Sequence, residues 1–288
     1  MNLQYLQKGD TISLIAPAGA IQQQEDIKNC INFFTKNGYK IKTGKNLFSK
    51  ENYLAGTDQE RLEDLHSAFL DKETKIILCA RGGYGSARLL PLIDFELIKQ
   101  NQKPIIGYSD ITALLNNLPC PCFLGPMGAS DFAQNPDTTT ITSFFESLSN
   151  KQKIYQSSNF ITINTGKAEG ELIGGNLSVL CSLLGTKYQP NFENKILLIE
   201  DTNEPLYKID RMLTQLQQIG IKNRIKGLIF ADFDIKNDKN LINLLKDFSI
   251  NIPTFLGFEC SHQRTKYTIE LHKNYILDAD FGCLIKNC

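Results

Sequence analysis

Apolar residues in the first half of the chain come in short unbroken runs separated by stretches of helical spacing. The runs Thr11–Pro17, Ile41–Thr43, Lys75–Ala80 and Pro104–Gly107 have the length of buried strands, and helices are predicted over 24–37, 58–70, 84–91 and 110–118. Strands alternating with helices of this length form βαβ units and a mostly parallel sheet, so the expected class is α/β. The second half predicts strands at 160–164, Lys195–Ile199, Lys226–Ala231, Thr254–Gly257 and Tyr275–Leu277, with helices at 175–184, 205–218 and 239–247. Leu206, Ile209, Leu213 and Leu216 share one helical face, which packs the 205–218 helix on a sheet directly after the strand Lys195–Ile199. Between the halves, 131–170 turns polar and rich in Thr, Ser and Asn. The connection between two domains is placed there, with a first domain over 1–150 and a second over 165–288.

Charge narrows the partners. The 288 residues carry 31 Lys+Arg against 31 Asp+Glu and no long basic run, which lacks the footprint of a nucleic-acid or anionic-membrane binder and favours a small molecule or peptide. The apolar stretch Ile12–Pro17 is too short for a signal-peptide core and follows polar residues, and no transmembrane stretch is present. Eight scattered cysteines, several inside apolar runs, suggest reduced structural thiols of a cytoplasmic protein. Cys120-Pro121-Cys122 has no second Cys or His pair at zinc spacing, and only three histidines exist, so no metal site and no cofactor is expected.

The candidate chemistry lies at strand ends, where ligands bind in such sheets. In Ile105-Ile106-Gly107-Tyr108-Ser109-Asp110, the serine opens a helix after a sharp turn, either as a helix cap or as a nucleophile beside unpaired backbone N–H groups. Glu200 follows four apolar residues without a break and is the buried carboxylate of its turn, with Glu204 as rival and Asp201 structuring the turn. His262 follows an apolar strand, whereas His66 and His272 suit surface positions. Together Ser109, His262 and Glu200 supply a nucleophile, a base and an orienting carboxylate, although no G-x-S-x-G elbow is present. The turn Arg81-Gly82-Gly83-Tyr84-Gly85 fits neither dinucleotide nor P-loop spacing, and the N–H groups of Gly83 and Asp110 are expected to form an oxyanion hole.

These segments, with Ile15-Ala16-Pro17-Ala18-Gly19, Gly125-Pro126-Met127, Gly174-Gly175-Asn176-Leu177 and Ser261-His262, resemble the serine LD-carboxypeptidases, or muramoyltetrapeptide carboxypeptidases, over nearly the whole chain. The resemblance implies a Rossmann-like N-terminal domain with a smaller, β-rich C-terminal domain. It further implies a Ser109–Glu200–His262 triad divided between them, a cytoplasmic location and frequent dimerisation. The implied reaction removes terminal D-alanine from murein tetrapeptides without a metal. Arg81 or Arg264 would meet the substrate carboxylate, with Asn176 as a further substrate contact. Peptidases that inactivate peptide–nucleotide antibiotics share the scaffold, and a non-catalytic ligand-binding protein is the other alternative; an intact triad weighs against the latter.

Overall fold

In the computed structural model, which describes residues 5–231, 233 and 238–287, the chain separates into two compact units. Unit 1 holds the residues up to Gln152 together with Arg264–Glu270. Its strands are Thr11–Ile15 (β1), Lys40–Thr43 (β2), Thr74–Cys79 (β3), Ile105–Gly107 (β4) and Cys122–Leu124 (β5), all parallel in the order β5-β4-β3-β1-β2. The central strands are buried on both faces, which is why they read as unbroken apolar runs, while edge strand β2 is lysine-bearing and largely exposed. Helix α1 (Gln24–Lys36) buries Ile27, Cys30 and Phe34 from one face, and α2 (Asp58–Leu70) begins at a capping box between Thr57 and Glu60. Arg61 of α2 is fully buried: its guanidinium donates to the carbonyls of Pro17 (2.6 Å) and Gly85 (2.8 Å), tying two strand-end loops together. Two short helices follow, α3 (Phe95–Gln100) and α4 (Thr112–Leu115), and then α5 (Thr138–Leu148).

Unit 2, Lys153–Gln263 with Leu271–Cys288, is built on an eight-stranded mixed sheet. In chain order its strands are Ile154–Gln156 (β6), Ile161–Asn164 (β7), Lys167–Asn176 (β8), Lys195–Glu200 (β9), Ile225–Phe230 (β10), Thr254–Leu256 (β11), Asn274–Asp278 (β13) and Cys283–Lys286 (β14). Strands β8 to β11 are parallel neighbours, and β7, β13, β14 and β6 extend the sheet antiparallel at its two sides. Helices α6 (Leu177–Leu183), α7 (Leu206–Gln218) and α8 (Lys239–Phe248) bury Leu180, Ile209, Leu213, Leu216, Leu241 and Leu245 against the sheet core. The protein is thus a two-domain α/β fold with mixed sheets.

Several expectations need correction. The strap Arg264–Glu270 falls inside the range 165–288 yet belongs to unit 1, because Ile269–Glu270 (β12) pairs antiparallel with β5. The chain passes from unit 1 to unit 2 after Gln152, inside the polar stretch 131–170, but that stretch also holds α5. Asp137 caps α5 by accepting from Thr140 N–H (3.0 Å), and Phe144 and Leu148 enter the core, while Thr140, Ser143 and Ser147 face the strap. The helix expected over 110–118 is a 3₁₀ turn, Ser109–Ile111, followed by α4 alone, since Asn116 and Asn117 bond back to the carbonyls of Thr112 (2.8 Å) and Ala113 (3.0 Å). The segment 84–91 carries only a 3₁₀ turn, Ser86–Leu89. None of the described cysteines is in a disulfide, and Cys288 lies outside the described residues. Among the described residues, no helix is long and apolar enough to cross a membrane, and no cluster of three or more His, Cys, Asp or Glu side chains could hold a metal.

Candidate active site

Ser109 stands where β4 ends. Tyr108 is extended (φ −153°), and the chain then reverses so that Ser109 adopts φ +61°, a left-handed conformation that non-glycine residues seldom enter. Such a residue costs on the order of 1–3 kcal/mol and is retained where it aims a functional group. The geometry is that of a strand–turn–helix nucleophile elbow, reached without its second glycine. Room comes from Gly107 alone: a Cβ there would lie 3.0 Å from the Ile111 side chain, which occupies the place of the missing glycine.

The glycine turn after β3 packs directly on this serine. A Cβ on Gly82 would lie 2.8 Å from Ser109 Cβ, 2.9 Å from its Oγ and 3.4 Å from the Asp110 amide nitrogen. Gly82 O accepts from Gly19 N–H (3.0 Å), and Gly83 takes φ +112°. The buried Asp110 carboxylate accepts from Ser86 N–H (2.8 Å) while Ser86 Oγ donates to Asp110 O (2.5 Å), clamping the turn to the serine segment. Burial raises the Asp110 carboxyl above its ordinary range, against the opposing pull of the Ser86 hydrogen bonds. Gly82, and not a side chain, is thus what lies against the Ser109 hydroxyl within unit 1. Arg81 donates from Nη1 to Ala20 O (3.0 Å), and Arg264 is exposed on the strap.

In unit 2, Glu200 closes β9 with no exposed surface, and its Oε2 lies 2.8 Å from His262 Nδ1. Among the described residues its Oε1 has no hydrogen-bond partner. A fully buried carboxylate satisfied through one imidazole is costly to the fold, which is the kind of arrangement retained for chemistry. With Nδ1–H donated to the carboxylate, the imidazole lone pair is on Nε2. Ser261, directly before the histidine, is buried and in the left-handed region (φ +56°). The rival Glu204 instead lies 3.1 Å from Lys208 Nζ. His272 also meets a carboxylate, Glu171 (3.2 Å), but that group is part-exposed and shared with Lys195, and His66 Nε2 accepts from Asp94 N–H (3.2 Å).

Asn176 is in register with Glu200 at the end of the neighbouring strand. Its Oδ1 accepts from Val179 N–H (3.1 Å) to cap α6, and its Nδ2 donates to Asp201 (3.1 Å), so its side chain has a structural task. Gly174 permits this close approach: a Cβ there would lie 1.9 Å from Leu198 O. Asp201 also accepts from the amides of Ser178 (3.0 Å) and Thr202 (2.9 Å). Burial first, and then the adjacent Glu200 charge, push the Asp201 carboxyl up to about 6. Because this raised value favours the proton in the folded state, its stabilising contribution is complete below the unfolded value and is lost as pH rises through about 6. Wild type is therefore expected to lose on the order of 3 kcal/mol from this group between about pH 4 and pH 6, a slope that Asp201→Asn flattens in urea midpoints measured across that range.

The LD-carboxypeptidase N-terminal domain matches residues 12–122, and the LD-carboxypeptidase C-terminal domain matches 169–277. A "Probable murein peptide carboxypeptidase" of Bacillus subtilis is 39% identical over 272 residues, covering 89% of this chain and 85% of that protein. The microcin self-immunity protein MccF of Escherichia coli is 28% identical, covering 94% and 91%. Among solved structures, an MccF-like protein of Bacillus anthracis superposes with TM-score 0.90 at 26% identity, covering 98% of both chains. A muramoyltetrapeptide carboxypeptidase of Oxalobacter formigenes superposes with TM-score 0.86 at 27% identity, covering 96% of this chain and 99% of that one.

Proposed function

The chain belongs to the LD-carboxypeptidase family, and we propose that within it this carboxypeptidase removes the terminal D-alanine of murein tetrapeptides through a Ser109–His262–Glu200 triad. The observation that carries the reading is the buried Glu200 carboxylate engaged with His262 Nδ1 at 2.8 Å. In the proposed cycle His262 Nε2 takes the Ser109 proton as Oγ attacks the scissile carbonyl, and the resulting imidazolium is stabilised by Glu200. The N–H groups of Gly83 and Asp110 receive the oxyanion of the tetrahedral intermediate. His262 then gives its proton to the departing D-alanine amine, and water, deprotonated by the same imidazole, releases the tripeptide and restores Ser109. Arg81 is the proposed partner of the substrate's terminal carboxylate, with Arg264 as the alternative.

Incubation of the protein with a murein tetrapeptide, followed by mass spectrometry, tests the reading. Tripeptide and free D-alanine are expected; their absence, with cleavage of a peptide–nucleotide conjugate instead, would transfer the substrate to that alternative class. The glycine turn supplies a second test. Gly82 is outside the left-handed region, so alanine is permitted by the backbone and objects only through its Cβ, 2.9 Å from Ser109 Oγ. Gly82→Ala is expected to lower kcat/KM about 100-fold by displacing the hydroxyl, at a cost to the fold of about 1–3 kcal/mol because Ser109 Cβ, 2.8 Å from the added carbon, is fixed to the backbone. Retention of full activity would show that the turn does not set the serine's position.

A further inference from the structure

We propose that Lys266 is a positioning residue for the nucleophile: its ammonium, held by Asp131 and seated over the Tyr108 ring, fixes the backbone turn that carries Ser109. This rests on the assignment of Ser109 made above. The Lys266 side chain is 3% exposed, its Nζ ion-pairs with Asp131 Oδ1, and it lies 4.7 Å from the Tyr108 ring centroid. The Tyr108 hydroxyl reaches the same Oδ1 at 3.5 Å, and Asp131 Oδ2 accepts from Met127 N–H at 2.8 Å. Cation, carboxylate, phenol and loop amide form one network inside unit 1, and one of its members is the residue immediately before Ser109.

Stability alone does not account for this lysine. Removing both ions from water costs several kcal/mol per ion, and an apolar pair of similar volume commonly folds as well or better. What the pair provides is a defined direction: the backbone passes from extended at Tyr108 (φ −153°) to left-handed at Ser109 (φ +61°), and the clamped ring sets where that reversal falls. The clamp is itself rigid. Lys266 N–H donates to Thr140 Oγ1 (3.0 Å), Thr268 N–H to Ser143 Oγ (2.9 Å), and Ser147 Oγ to Thr268 O (2.5 Å), while β12 pairs with β5, the strand beside β4. A hydroxyl stripe on α5 thus holds the strap that delivers the ammonium, the kind of support a preorganised site requires.

The test uses Lys266→Met combined with Asp131→Asn, a neutral pair that keeps an acceptor for Met127 N–H, alongside Lys266→Arg and Tyr108→Leu. On murein tetrapeptide the double variant is expected to lose about 100-fold in kcat with KM within about threefold, since misplacement of a reacting group by about an ångström has that effect. Its rate of Ser109 phosphorylation by diisopropyl fluorophosphate, with the adduct located by peptide mass mapping, falls in parallel, and Lys266→Arg recovers most of that rate. Tyr108→Leu leaves the ion pair in place and is expected to slow labelling similarly, which keeps the test decisive if the double variant does not fold. Labelling of Ser109 at the wild-type rate in either folded variant overturns the positioning role. If wild type itself is not labelled at Ser109, the assignment of the nucleophile fails instead.

Discussion

Replacement of Ser109 by alanine is expected to abolish release of D-alanine, lowering kcat on the order of 10⁵–10⁶-fold while leaving the unfolding midpoint near that of wild type. The size follows from the chemistry. Without the hydroxyl no acyl-enzyme forms, and His262 has no proton to take, so the remaining rate comes from amides and binding alone. The fold has little reason to object, because Ser109 is part-exposed and its left-handed backbone is a cost that alanine inherits unchanged. The variant should also fail to react with the fluorophosphate. Substantial turnover by Ser109→Ala, measured by mass spectrometry of the tripeptide, would exclude covalent catalysis through this residue.

The parts of the site that could be read from the sequence are those whose position follows from strand ends. Glu200 follows an apolar run directly, His262 stands in the loop just beyond another, and the structure joins them at 2.8 Å. What escaped reading depends on contacts distant in the chain. Lys266 belongs to a strap that leaves one unit for the other, and nothing in Gln263-Arg264-Thr265-Lys266 marks a buried ion pair. Helix α5 looks in the sequence like a polar connection because its Thr and Ser residues interrupt the apolar stripe of a core helix; those hydroxyls bury their polarity against the strap backbone instead. Arg61 sits in a helix whose sequence looks solvent-facing, yet its guanidinium is buried between two loop carbonyls. The sharp turn before Ser109 is legible in the sequence although the G-x-S-x-G pattern is incomplete: Ile111 stands where a glycine is usual, and its side chain fits because Gly107 has none.

Replacement of Glu200 by glutamine is expected to separate catalysis from stability more sharply than any other change, lowering kcat about 10⁴-fold without lowering the unfolding midpoint. Glutamine fills the same volume. If its amide nitrogen faces His262, however, the imidazole must accept at Nδ1 and carry its proton on Nε2, the tautomer that cannot take a proton from Ser109; and no charge remains to stabilise the imidazolium. The fold, by contrast, is relieved of a fully buried charge whose Oε1 has no hydrogen-bond partner among the described residues, so the variant should be as stable as wild type or more so. Glu204→Gln is the matched comparison: its carboxylate lies beside Lys208 rather than His262, and a surface pair of that kind contributes about 0–1 kcal/mol, so its kcat should stay within about threefold of wild type. Steady-state rates on the tetrapeptide with urea midpoints for both variants decide the matter. Wild-type turnover by Glu200→Gln with loss in Glu204→Gln would reverse the carboxylate assignment, whereas loss of both activity and stability in Glu200→Gln would make Glu200 a structural group.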